Sequence, residues 1–146
     1  METNPPEANR VGTIYLLLGL AQAAHSVEEM RTHLYDFFWS ATGLLHSTIP
    51  SFPQFRLAAD SFAVLNMTFI ALLLGTVPLV YAGRRWAWFL AGVAAIIEVF
   101  NGLAHLSGAV VFGGYVPGVT SAPLLLILGI FLLRELHRAG ALTRRR

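Results

Sequence analysis

Apolar residues in this chain fall in long runs instead of at amphipathic spacing, and four of the runs are long enough to cross the hydrocarbon of a bilayer as helices. Spans are predicted over about 11–30, 59–81, 86–112 and 119–133, joined by short turns at Gly83-Arg84-Arg85 and at Gly113 to Gly118. Residues 31–57 break the pattern with Gly43, Pro50 and Pro53 and are rich in aromatic side chains, among them Tyr35, Phe37, Phe38 and Trp39. Aromatic rings collect at the membrane–water boundary, so this segment reads as an interfacial or re-entrant helix over one mouth of the bundle. Met1 to Arg10 is polar, carries Pro5-Pro6, and lacks the basic start and small-residue cleavage site of a signal peptide, so it reads as a short soluble tail. The fold expected is all-α: a single-domain polytopic membrane four-helix bundle with an interfacial or re-entrant segment between spans one and two.

Polar residues interrupt the apolar runs at few places. In span one, Gln22, His25, Glu28 and Glu29 fall on one side of a helix at 100° per residue. In span three, Glu98, Asn101 and His105 are three and then four apart and share a face. Ionisable groups at bilayer depth are costly and mark function, so each row needs a partner inside the bundle. Depth supports the pairing. At ~1.5 Å per residue, His25 lies about 21 Å above the inner end of span one, and Glu98, Asn101 and His105 about 18, 22 and 28 Å above the inner end of span three. Asn66, descending about 9 Å from the outer side in span two, reaches the same level of a core ~30 Å thick.

Composition agrees with the pattern: 146 residues are 55% hydrophobic and 12% charged, with a mean hydropathy of +0.62. There is no cysteine, so neither disulfides nor thiolate metal sites are available. All ten basic residues are arginines, and they sit at predicted membrane boundaries, not in a nucleic-acid-binding patch. Four spans collect eight of them, Arg10, Arg84, Arg85, Arg134, Arg138 and Arg144 to Arg146, on one side, against Arg31 and Arg56 on the other. The positive-inside rule then makes the protein multi-pass and integral to the cell membrane, with both termini cytoplasmic.

Two histidines and up to three carboxylates facing one another are a ligand set for zinc or non-haem iron. The metal set predicted is His25, Glu28, Glu29, Glu98 and His105, with Asn66 and Asn101 beside it. An open coordination position would let a metal acidify water or activate oxygen, with Glu29 or Glu98 as general base. The competing reading is a buried hydrogen-bond network that ties the helices together. Nothing in the chain signals a nucleotide or haem. His33 and His46 read as interfacial polar residues.

His25-Ser-Val-Glu28-Glu29, Asn101-Gly-Leu-Ala-His105 and Tyr115-Val-Pro117-Gly118 resemble, in that order, the HxxEE, NxxxH and YxPG motifs of the HXXEE family of small integral membrane proteins. The resemblance spans about Val11 to Arg134. It implies a site at His25, Glu28, Glu29, Asn101 and His105, adds Tyr115, Pro117 and Gly118, and carries no substrate with it. Independently, Pro117 and Gly118 suit a tight turn, and the phenol of Tyr115 can either serve catalysis by bonding a site carboxylate or substrate oxygen, or anchor the turn at the interface.

Three functional classes fit these features. The favoured one is a metal-dependent membrane enzyme, a hydrolase or oxidoreductase, acting on a lipid-like or isoprenoid-like molecule that enters from the bilayer. The others are a proton-coupled transporter or lipophilic-ligand-binding bundle, and a structural subunit. Transporters commonly show internal repeats and broken helices, and the two halves of this chain show no convincing repeat. Membrane lipids are the partners expected, with no role for nucleic acid.

Overall fold

The structure is a computed structural model that describes residues 5–140. Met1 to Asn4 and the arginine cluster Arg144 to Arg146 lie outside the described residues. Those described are all-α, five helices with no strand: α1 (Pro5–Arg31), α2 (Leu34–Thr48), α3 (Ala59–Tyr81), α4 (Arg85–Val111) and α5 (Ala122–Arg138).

Two boundaries differ from the sequence expectation, each for a local reason. α1 begins at Pro5, so most of the predicted soluble tail is helix. Proline suits a first turn because its missing N–H has no helical partner to lose, and Glu7 in the same turn meets the positive end of the helix dipole. α5 begins at Ala122 instead of near Val119 and continues past Leu133 to Arg138. Gly118, at φ 89°, keeps the chain in a turn as far as Ser121, and Pro123 stands in the first turn of the helix. His137 and Arg138 close α5, where cations are favoured by the dipole.

α1 packs against α3 and α5, and α4 packs against α5 and α3. Arg10 pairs with Glu135 at 3.6 Å, Thr13 meets the Tyr81 hydroxyl at 3.1 Å, and Trp88 donates its indole N–H to the Val80 carbonyl at 2.9 Å. These contacts gather the start of α1, the end of α3, the start of α4 and the end of α5 at one end of the molecule. That end is filled by apolar side chains, among them Val11, Tyr15, Leu73, Val80 and Leu132. Polar residues collect at the other end, where α2 crosses.

α3 and α4 are each long and apolar enough to cross a membrane. Their outward faces carry large exposed apolar side chains, Val64, Met67 and Leu72 on α3 and Phe89, Ile96 and Phe100 on α4. α2 follows α1 after a sharp reversal in which His33 adopts a left-handed conformation at φ 57°. It runs unbroken through Gly43. The chain then returns along it: Gln54 donates to the Trp39 carbonyl at 3.0 Å, and the Phe55 N–H donates to Thr42 Oγ1 at 3.2 Å.

Small residues bring α4 and α5 close together. A Cβ on Gly102 would lie 2.9 Å from both the Ala122 carbonyl oxygen and Leu126 Cβ, and one on Gly129 would lie 3.0 Å from the Ala95 carbonyl oxygen. Close approach of this kind is how helices associate where lipid offers no hydrophobic drive between them. Gly102→Leu should therefore force the two helices apart and destabilise the fold by about 1–3 kcal/mol. Thermal unfolding of the purified protein in detergent checks this, and an unchanged midpoint would show that the close approach is dispensable.

Candidate functional site

α1 turns from apolar to polar on its inward face at Gln22. Gln22, His25, Ser26 and Glu29 are spaced three, one and three apart, a single helical stripe, and all four are buried. Neighbouring residues on a helix point about 100° apart, so Glu28 and Glu29 cannot serve the same partner. They separate into two arrangements.

Glu29 turns toward α4. Its Oε1 lies 3.1 Å from His25 Nε2 and 3.2 Å from His105 Nε2. The two imidazoles meet edge to face, with centroids 4.8 Å apart. All three side chains are buried, and their ligand atoms lie within 4.8 Å of one another.

Glu28 turns toward the start of α5. Its Oε1 accepts from the Tyr115 hydroxyl at 2.8 Å and from the Thr120 N–H at 3.1 Å. Its Oε2 accepts from the Ser121 N–H at 2.9 Å and from the Ser121 hydroxyl. A carboxylate thus satisfies backbone donors left open at the N-terminus of α5, where the helix dipole favours negative charge. Because the single Ser121 hydroxyl proton goes to Glu28, Ser121 Oγ must act as acceptor toward His25 Nδ1, 2.8 Å away. A neutral His25 then carries its proton on Nδ1, and the Nε2 lone pair faces Glu29.

This arrangement tests the fit to a metal. Two lone pairs facing each other at 3.1 Å need a cation between them, a proton or a metal ion. His25 Nε2 is buried and, among the described residues, has no hydrogen-bond donor facing it. Ligand atoms around a tetrahedral ion held at ~2.0–2.1 Å lie about 3.3 Å apart, close to the two separations found at Glu29, and the imidazoles, whose ligand atoms lie within 4.8 Å, would draw together around an ion. The relay from Glu28 through Ser121 to His25 is also the kind of support that orients a metal-binding imidazole. The group His25, Glu29 and His105 could hold a metal ion.

Gly118 roofs the site. Its φ of 89° favours glycine, and a Cβ there would lie 2.6 Å from His105 Cε1 and 2.9 Å from His25 Cε1. The Tyr115 to Gly118 turn therefore packs directly on both imidazoles.

A family description, "Protein of unknown function with HXXEE motif", matches residues 16–132, most of the chain. This protein belongs to the HXXEE family. No curated protein and no solved structure matches it.

In this HXXEE protein the histidine and second glutamate of the HxxEE motif join the histidine of NxxxH, while the first glutamate holds the tyrosine of YxPG. The remaining predicted residues form a second polar layer. Glu98 is fully buried, and Asn101 donates to it at 3.4 Å. With its amide nitrogen toward α4, Gln22 reaches both Glu98 oxygens at 3.0 and 3.1 Å. Ser26 donates to Asn66 Oδ1 at 2.7 Å, which ties α3 to the same layer. His33 and His46 stay outside the group: His33 packs beside Tyr35, and His46 meets the Phe52 carbonyl at 2.7 Å.

A cavity of about 580 Å³ opens onto both layers. Gln22, Glu29, Asn66, Asn101 and His105 form its polar end, and Phe37, Phe38, Phe62, Phe69 and Phe112 line much of its apolar wall. Phe37 and Phe38 come from α2, which lies across this end of the molecule. Tyr115 does not line the cavity; it is exposed and braces Glu28 from outside. Sequence reasoning left Ser26 and Ser121 out of the site. Ser26 was detectable as part of the 22–25–26–29 stripe, whereas Ser121 enters only through the fold.

The relay makes a prediction that needs no metal. In chelator-treated protein, where a proton takes the place between Glu29 and His25 Nε2, nitrogen NMR of labelled histidine should find His25 Nδ1 protonated, and Ser121→Ala should shift that Nδ1 signal. An unchanged spectrum would show that Ser121 does not hold Nδ1.

Proposed function

We propose that this HXXEE-family protein is a multi-pass membrane enzyme that binds zinc or iron through His25, Glu29 and His105 and acts on a lipophilic molecule held in the cavity. The observation that carries this reading is a buried His-Glu-His group at the polar end of an aromatic-walled cavity of about 580 Å³. Two imidazoles and one carboxylate make three protein ligands, which leaves a position for water or substrate, the pattern of catalytic rather than structural metal sites. Apolar walls with a few convergent polar groups are the usual make-up of a small-molecule site.

A four-helix bundle embedded in lipid is supported by the apolar side chains that α1 and α5 also expose, Leu17, Leu20, Ile127, Ile130 and Phe131. The end where Arg10, Arg84, Arg85, Arg134 and Arg138 lie faces the cytoplasm by the positive-inside rule. The site then sits toward the outer side, with α2 as its interfacial cover.

A bound ion would supply Lewis acidity toward water or a substrate oxygen. The protein does the rest. Glu28 and Ser121 hold His25 in the ligating tautomer, Gly118 lets the turn exclude water from above the imidazoles, and Phe37 and Phe38 exclude it from the cavity side. Glu98 lies one turn from Asn101 and has no ion-pair partner among the described residues, which suits it to receive a proton during the reaction.

Elemental mass spectrometry decides the metal. Purified wild-type protein should carry close to one zinc or iron per chain, His25→Ala and His105→Ala should lose it, and Ser121→Ala should bind it about 10- to 100-fold more weakly. Metal-free wild type, or histidine variants that keep full occupancy, would favour a hydrogen-bond network that only joins the helices. Glu98→Gln should keep the metal and abolish the difference in lipid extract between cells with and without the protein.

Topology has its own test. Reporters fused after Arg146 and inserted at Ser47 should report opposite sides of the membrane, and the same side for both would overturn the four-span arrangement.

A further inference from the structure

The cavity has a composition that selects among lipophiles. None of its lining residues is an arginine, and the chain contains no lysine. Its polar end presents Glu29 and His105 together with three carboxamides, Gln22, Asn66 and Asn101. Behind Asn101 stands the carboxyl of Glu98. A phosphate or carboxylate headgroup placed here would meet no arginine or lysine and would lie beside the carboxyl groups of Glu29 and Glu98. Burying an anion without a partner is costly, whereas carboxamides donate to and accept from an uncharged oxygen or nitrogen group equally well.

The carboxamides have capacity to spare. Asn66 accepts from Ser26 and donates once, to the Phe62 carbonyl at 3.3 Å, leaving one N–H. Asn101 gives one N–H to Glu98 and, among the described residues, its Oδ1 makes no hydrogen bond. A free acceptor on Asn101 and a free donor on Asn66, facing one cavity from α4 and α3, match a hydroxyl or an amide.

Access follows from the rim. Leu65, Ile97 and Phe112 line the cavity and are also exposed on the outer surface, Leu65 by 60%. The rim is apolar, so a ligand passes in sideways from hydrocarbon and not from water. Beneath α2 the apolar wall takes a tail and the carboxamides take a head.

From this we infer that the cavity binds an uncharged single-tailed lipophile with a hydroxyl or amide head, read by Asn66 and Asn101, and discriminates against the corresponding anion. The inference deepens the proposed function, since it names the ligand of the same site, but the cavity can be tested without the metal.

Radiolabelled decan-1-ol, decanamide and decanoate are equilibrated with the full chain in lipid nanodiscs and with empty nanodiscs, with parallel samples stripped of metal. The alcohol and the amide should bind saturably, about one per chain, with decanoate about tenfold weaker or more. Ala41→Trp, which fills the cavity wall, should abolish saturable binding. Asn101→Leu should weaken the alcohol about fivefold or more in protein whose folding is confirmed by a cooperative thermal transition.

Decanoate binding as tightly as the alcohol, no saturable binding of any probe, or affinities untouched by both substitutions would each overturn the inference. The metal reading fails separately: saturable alcohol binding by a wild-type protein that holds no zinc or iron would uphold the cavity and remove the enzyme.

Discussion

Two adjacent carboxylates on one helix, Glu28 at the surface edge and Glu29 buried, each find polar partners on other elements, and in doing so they tie α1 to α4 and α5. Because the pair diverges by about 100°, one carboxylate reaches the histidines and the other reaches the start of α5. Ser121 then joins the two halves, since it bonds both Glu28 and His25. Loss of Glu29 would leave two buried imidazoles without their carboxylate, whereas the donors that Glu28 serves lie at or near the surface, where water can replace it.

The helices accordingly divide along their length. At the arginine-rich end the interior is apolar, while Gly129 near the middle of α5 and Gly102 toward the end of α4 set the distance between α4 and α5. At the opposite end the same helices line a polar layer and a cavity instead of a sealed core. Close packing of α4 on α5 holds the polar residues at fixed separations, which a binding site requires. α2 covers the open end with aromatic side chains while making little contact with the rest of the molecule, so the cavity is roofed without being filled.

HxxEE, NxxxH and YxPG stand in order in this one chain, and the structure brings the three motifs together. HxxEE supplies a histidine and a carboxylate to the buried group, NxxxH supplies the second histidine and the amide that borders the cavity, and YxPG supplies the turn that lies on both rings. The tyrosine acts at a distance from the imidazoles, through Glu28.

Much of this was legible in the sequence. Long apolar runs dictated helices, because a backbone flanked only by apolar side chains has to satisfy its own hydrogen bonds. The three-and-four spacing of Glu98, Asn101 and His105 placed them on one face, and the depth of Asn66 agreed with its contact to Ser26. Local signals misled at the ends of helices: the prolines of the tail initiate α1 instead of preceding it, and Gly118 delays α5 by a turn. What only the tertiary structure decided was the division of labour between Glu28 and Glu29, and the part played by Ser121. Spacing within a helix fixes which direction a side chain leaves the axis, but which neighbour stands in that direction depends on how α4 and α5 pack around α1, and that is set by close contacts between residues far apart in the chain.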